Sequence, residues 1–402
     1  MGPGGDGMLK KIENVKVYTE QGNFVPGAVM TEGAFIRRIL AGEAGNRKPE
    51  ADGAAETIDG GGCYCIPGMV DIHLHGCGGK DFCDGTREAL ETITSWEVSV
   101  GVTAIAPAVM ALPAERLEKA LAAGAAYRKE QQEGKAVPGA DLAGINMEGP
   151  FISAVKKGAQ DARYIVPCDV GLYRRFQDAA CGLIRFVGIA PEEGRNTADF
   201  IRQVKEEAVV ALSHTNADYD TAMAAFAAGA GHVVHLYNAM SSCTHREPGV
   251  AGAVADSPSA DVELICDGVH VHPAMVRAAF KMLGAGRVCL ISDSMRATGL
   301  SDGQYTLGGL AVNVRGKRAM LVSDGTLAGS VTSLPDCVRT AVSEMGIPLE
   351  TAIACATANP AKSLGQWELR GSLAPGKLAD LVLWDECMRL QAVMKAGEWI
   401  RR

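Results

Sequence analysis

The chain has 402 residues, 47% of them apolar but few aromatic, and a formal net charge of −8. That length suits one large domain or a barrel with a small companion. The negative charge argues against a nucleic-acid or anionic-membrane partner, while a single arginine in a pocket would still suffice to select an anionic small molecule.

Residues 1–7 read as a flexible extension before Met8, and the N-terminus lacks the apolar segment of a signal peptide. No apolar run approaches the ~20 residues that span a bilayer, so no membrane partner is expected. Residues 12–18 alternate in part like a strand, and the Gly60-Gly61-Gly62 turn follows. The twelve cysteines are scattered, mostly in apolar segments such as Leu264-Ile265-Cys266. Cys63-x-Cys65 has no second pair at zinc-site spacing. The set reads as reduced, buried small hydrophobes, and the expected location is the cytoplasm.

From residue 67 one pattern repeats. A short apolar run ends in a polar or ionisable residue, and a helix-like segment such as 114–129 or 219–228 follows. The runs lie at 69–73, 103–107, 144–148, 186–190, 210–214, 232–235, 262–267 and 289–293. Eight such strands with helical crossovers predict an α/β fold, a closed (β/α)8 TIM-like barrel, over 67–366. The end of the chain returns to strand-like runs at 380–384 and 390–394. Both termini, 8–66 and 367–402, are therefore expected to build one small β-sandwich domain.

Strand C-terminal ends of such a barrel converge on the face that carries the active site. Four of the chain's eight histidines fall there: His73, His75, His214 and His235. Glu148 and Asp293 end two further runs. Alternate residues of a strand share a side, so His73 and His75 of His-x-His both point inward. Glu148 with His214 and His235 makes a carboxylate and two-imidazole set suited to zinc, iron or a similar ion with an open position for water. Each residue also has a plainer reading: buried hydrogen-bonded histidines, an ion pair of Glu148 with Lys156 or Lys157, and an N-cap among Ser292, Asp293 and Ser294. Asp267, before Gly268, reads as a turn residue.

The order of motifs resembles the N-acetylglucosamine-6-phosphate deacetylase family of the amidohydrolase superfamily. Pro67-Gly68-Met69-Val70-Asp71-Ile72-His73-Leu74-His75-Gly76 is similar to its first barrel strand. Glu148-Gly149-Pro150-Phe151, with Lys156-Lys157-Gly158-Ala159-Gln160 after it, is similar to its third. His235-Leu236-Tyr237-Asn238-Ala239-Met240 with Arg246-Glu247-Pro248-Gly249 resembles its phosphate loop. Asp267-Gly268-Val269-His270, Asp293 with Ala297-Thr298-Gly299, Leu327-Ala328-Gly329-Ser330 and Asn359-Pro360-Ala361 complete the series. The likeness runs from about residue 10 to 400. Strand four lacks the lysine that bridges two metals in many amidohydrolases, and Glu148 stands in its place.

The resemblance implies one or two divalent transition-metal ions (Zn, Fe, Mn or Co). Glu148, His214 and His235 would hold one; His73 and His75 with Glu148, close to Asp293, would hold a second. It implies Asp293 as the group that carries the proton, and His270 as the group that polarises the acetyl carbonyl and binds substrate. Ala159, Gln160, Leu327, Ala328 and Gly329 would line the sugar. Asn238, Ala239 and Arg246 would take the phosphate, with Arg246 reaching across a homodimer. The implied substrate is a phosphorylated N-acetyl amino sugar of gluco or galacto configuration. The rivals are a dihydroorotase-like or hydantoinase-like amidohydrolase, and a barrel that binds without catalysis.

Overall fold

Runs of Val, Ile, Leu and Ala buried on both faces form parallel strands, because a sheet covered on both sides is where such runs are fully hidden. In the computed structural model, which describes residues 8–42, 56–194 and 196–401, eight of these runs do so. They are β1 (Met69–Asp71), β2 (Val102–Ile105), β3 (Ile145–Met147), β4 (Ile184–Ile189), β5 (Val209–Leu212), β6 (His232–Val233), β7 (Asp261–Ile265) and β8 (Val288–Ile291). Each lies within or beside its expected run. The ladders are parallel from β1 to β2 and from β3 through β8. The short strand Ala108–Val109, just after β2, pairs in parallel with β3. The ring closes where Asp293 N–H donates to His73 O (2.9 Å) and His75 N–H to Ser294 O (2.7 Å). The chain is thus a (β/α)8 barrel, with helices such as Arg87–Ser99, Ala114–Gln132 and Tyr219–Ala228 between strands. Thr86 and Asp218 cap two of these helices by accepting from backbone N–H groups in the first turn.

Both termini meet in a second sheet. Leu9–Tyr18, Phe24–Glu32, Phe35–Ala41, Glu56–Asp59 and Tyr64–Pro67 come from one end, and Leu381–Trp384, Leu390–Lys395 and Glu398–Arg401 from the other. Tyr64–Pro67 pairs antiparallel with Leu381–Trp384, which is where the two ends join. This sheet has its own core, in which Ile12, Val29 and Ile36 pack with Leu381, Leu383 and Met394. Residues 1–7, expected as an extension, lie outside the described residues.

One element was not expected. Gly303–Leu307, Leu310–Arg315 and Arg318–Leu321 form a three-stranded antiparallel sheet after β8. Leu307 and Leu310 face each other across Gly308 and Gly309, whose φ values of 57° and 89° suit a two-residue hairpin turn. The buried side of this sheet packs on Met110, Ala159, Met295 and Ala328. Among the described residues no helix is long and apolar enough to cross a membrane. The cysteines form no disulfide, and Cys65, Cys266 and Cys289 are among those buried.

Candidate active site

The strand ends bring six ionisable side chains into one buried cluster. Glu148, after β3, is at its centre. Its Oε1 lies 2.9 Å from His214 Nε2, 3.1 Å from His235 Nε2 and 3.4 Å from His73 Nε2. Its Oε2 lies 3.6 Å from His75 Nε2. Asp293 Oδ1 completes the set, 3.2 Å from His75 Nε2 and 3.9 Å from His73 Nε2. Glu148 therefore pairs with histidines, and neither Lys156 nor Lys157 is its partner. No helix starts at Asp293, so it caps nothing.

The backbone is bent to achieve this. His214, His235 and Asp293 all take positive φ, at 43°, 28° and 48°, a region that costs a non-glycine residue free energy and persists only where its surroundings enforce it. Gly158 shows how tight the enclosure is. Its φ is 57°, and an added Cβ would sit 3.1 Å from the His214 ring.

The protonation pattern follows from the partners. His214 Nδ1 lies 2.8 Å from Lys156 O, and His235 Nδ1 lies 3.1 Å from Asn238 O. A carbonyl only accepts, so each Nδ1 carries a proton and each ring turns its Nε2 to the centre of the cluster. Those two nitrogens are 3.2 Å apart, and both contact Glu148 Oε1. Two imidazole nitrogens and a carboxylate oxygen converging on one buried point are a donor set that fits a metal ion. His73 Nε2 is buried without a hydrogen-bond partner. Two groups that could hold a metal ion result, Glu148 with His214 and His235, and His73 with His75 and Asp293. Burial would raise the Glu148 carboxyl, but the imidazoles of His214 and His73 outweigh it and hold the group well below the usual range. For Asp293 burial is outweighed by the hydrogen bond from His75, and its carboxyl is lowered too.

A cavity of about 200 Å³ opens over the cluster. His75, Glu148, His214, His235 and Asp293 form its polar end, and His270 stands beside them. His270 Nδ1 donates to Asp267 Oδ2 (2.7 Å), and Asp267 Oδ1 accepts from the backbone of Val269 and His270. Asp267 is thus the group that fixes His270, beyond its turn. Burial pulls His270 down, but Asp267 outweighs it and raises its pKa.

Ala159, Gln160, Asn238, Ala239, Leu327 and Gly329 also line the cavity. Gln160 Oε1 accepts from Ala111 N–H (2.6 Å), and its buried Nε2 has no partner. Asn238 turns its donors onto the turn itself: its N–H and side-chain amide both reach His235 O, and the amide also reaches Leu236 O. Ala328 is buried between Leu327 and Gly329, and His73 lies beneath the cavity floor. Arg246 is not brought in; it is exposed in the segment after Met240.

The sequence reading missed Met110, Leu307 and Thr326, which line the same cavity. Leu307 had a signal: alternating runs on either side of Gly308-Gly309 mark a hairpin. It also passed over Glu263, an acid in the middle of an apolar strand. Such a group must be paired, and its partners are His73 and His232.

Comparison with known proteins agrees with this geometry. The amidohydrolase family model matches residues 64–400. The N-acetylglucosamine-6-phosphate deacetylase of Bacillus subtilis is 38% identical over 89% of this chain and 91% of its own. The N-acetylgalactosamine-6-phosphate deacetylase of Escherichia coli O157:H7 is 34% identical over 83% and 86%. Among solved structures, a mutant of the N-acetyl-D-glucosamine-6-phosphate deacetylase of Mycobacterium smegmatis, in complex with N-acetyl-D-glucosamine-6-phosphate, superposes with a TM-score of 0.88 at 34% identity, covering 99% of this chain and 100% of that one. The histidine and carboxylate clusters at the barrel mouth and these whole-length likenesses agree: the chain belongs to the amidohydrolase family and, within it, to the N-acetylglucosamine-6-phosphate deacetylases.

Proposed function

We propose that this chain hydrolyses the N-acetyl group of N-acetyl-D-glucosamine 6-phosphate, giving acetate and D-glucosamine 6-phosphate in amino-sugar catabolism and recycling. The observation that carries the reading is the pair of imidazole nitrogens converging on Glu148 Oε1, in a chain of this family. Glu148, His214 and His235 would hold one divalent ion. His73 and His75, with Glu148 and Asp293 beside them, would hold a second. When bound, such an ion supplies Lewis acidity and makes water acidic enough to attack near neutral pH. The ligand set suits zinc, iron, manganese or cobalt.

The residues of the chain then divide the work. Asp293, kept as a carboxylate, accepts the proton of the attacking water and returns it to the departing amine. His270 carries one proton on Nδ1 toward Asp267. A second, on Nε2, lets it donate to the acetyl oxygen, and its raised pKa favours that form. The free Nε2–H of Gln160 supplies a donor to the sugar, with Ala159 and 327–329 as the wall. Ala239 and Asn238 shape the phosphate end.

Arg246 is exposed and does not line the cavity of its own chain, which supports a role in a neighbouring one. We therefore read the enzyme as a cytoplasmic homodimer, with a barrel over 67–366 and a small domain from 8–66 and 367–402. Acetate release from N-acetyl amino sugars of gluco and galacto configuration, with and without 6-phosphate, tests the reading alongside elemental analysis. The gluco 6-phosphate should turn over fastest, with about one to two transition-metal ions per chain by the ligand count. Fastest turnover of the galacto 6-phosphate would assign the epimer instead. An active preparation free of metal, or no preference for phosphate, would sink the proposal.

A further inference from the structure

Behind the cluster lies a second buried carboxylate. Glu263 sits in β7 and is fully buried. Its Oε2 contacts His73 Nδ1 at 2.8 Å and accepts from the backbone N–H of His235 at 3.2 Å. Its Oε1 contacts His232 Nε2 at 3.1 Å. His232 opens β6, is itself buried, and packs against the ring of Phe186 with centroids 5.1 Å apart. A glutamate in such a place is costly unless fully paired, and an apolar side chain would fill the space without that cost. Its retention in the strand has a physical reason in what it does to His73.

The four imidazoles of the cluster are not held alike. His214 and His235 have their tautomers fixed by backbone carbonyls, which no side-chain change removes. His75 Nδ1 is buried with no partner. Of the four, only His73 has its Nδ1 held by a side chain. An ionised carboxylate only accepts, so His73 Nδ1 and His232 Nε2 must both donate to Glu263. Nε2 is thereby left as the nitrogen available to an ion, the orphaned atom that faces Glu148 and Asp293.

We propose that Glu263, oriented by His232, is a positioning residue: it sets the tautomer of His73 and so decides whether the His73–His75–Asp293 side of the site holds an ion. The inference rests on the reading of that cluster as a metal site. It makes the two halves of the site unequal, because the Glu148–His214–His235 half needs no such support.

The test is a titration of metal-free wild type, Glu263→Leu and Glu263→Gln with zinc or cobalt against a chromophoric chelator, alongside thermal unfolding of the metal-free proteins. Wild type should bind two classes of ion. Glu263→Leu should weaken one class by about 10–100-fold, the usual scale for losing a partner behind a ligand, and leave the other unchanged. Glu263→Gln, which can still turn an oxygen to His73, should recover part of the loss. His232→Phe should act in the same direction and add little on top of Glu263→Leu. Wild-type constants for both classes in Glu263→Leu would overturn the inference and leave the proposed function intact. A wild type that binds no ion would instead overturn the proposed function. If Glu263→Leu does not fold, ¹⁵N spectra of histidine-labelled wild type decide. His73 Nδ1 must carry a proton both with and without metal, and a bare Nδ1 in either state overturns the inference.

Discussion

Asp293 shows how much one residue can be asked to bear. It sits at φ 48°, held there by its own N–H on His73 O (2.9 Å) and by Ser330 N–H on its carbonyl (2.7 Å). Gly329, at φ 63°, lets the neighbouring segment close in; a Cβ there would lie 3.0 Å from Asp293 O. If the carboxylate moves the proton, Asp293→Asn should lower turnover by ~100-fold or more, the scale of general acid–base catalysis. Metal content should fall far less than in Glu148→Gln, because Glu148 contacts all four imidazoles. Near-normal turnover by Asp293→Asn, with acetate release as the readout, would remove it from the chemistry. These ligand candidates were legible in the sequence because each ends an apolar run, where an ionisable group is conspicuous. Glu263 was not, because pattern reading looks at strand ends and this acid lies inside a strand. His232 was hidden by the shortness of its strand, only two residues long.

At the scale of elements, the eight barrel strands were legible because buried parallel strands are continuous apolar runs. The hairpin after β8 was less so. Its strand Leu310–Arg315 alternates buried and exposed positions, but no charge or helix pattern marks its place in the barrel order. The loop carrying Arg246 was legible as a motif and illegible as geometry. In it Thr244 N–H donates to Glu247 O (2.8 Å) and Glu247 N–H to Thr244 Oγ1 (3.0 Å), a closed turn with Arg246 exposed between them. Removing a desolvated guanidinium from a phosphate costs ~2–5 kcal/mol. Arg246→Ala should therefore lower kcat/KM for the 6-phosphate sugar by roughly 30-fold or more, and change the unphosphorylated sugar far less. Arg246→Lys should recover part, since an ammonium lacks the planar fork. If the proposed homodimer holds, mixing Asp293→Asn chains with Arg246→Ala chains should restore activity, because a hybrid dimer would regain one complete site. If subunits exchange and no activity returns, the arginine serves its own chain.

At the scale of the whole molecule, the barrel and the terminal sheet are joined by a charge network that no local pattern announces, because its members are far apart in sequence. Asp141, beside β2, receives Arg370 Nη2 and, at 3.1 Å, Lys395 Nζ. The same two cations reach Asp380, at 3.6 and 3.3 Å. Lys395 ends a strand of the terminal sheet and Asp380 immediately precedes another, so the network ties that sheet to the barrel. The Arg370 side chain is only 2% exposed, and breaking a buried pair by removing one partner costs ~3–5 kcal/mol. Asp141→Asn should thus destabilise the protein by about that amount near pH 7. Burial pushes the Asp141 carboxyl up, but Lys395 and Arg370 more than offset it and hold it at about 2. That is below the ~3.9 of an unfolded aspartate, so the stabilisation is complete above about pH 5 and is lost as pH falls through ~4 toward 2. The depression corresponds to ~2–3 kcal/mol at ~1.4 kcal/mol per unit. Urea unfolding of wild type and Asp141→Asn at a series of pH values isolates this contribution, because other acid-titrating groups are common to both proteins. The gap between them should be constant from pH 7 to about 5 and should narrow by ~2 kcal/mol on going to pH 2. A gap that stays the same throughout would mean that the carboxylate charge contributes nothing to holding the sheet on the barrel.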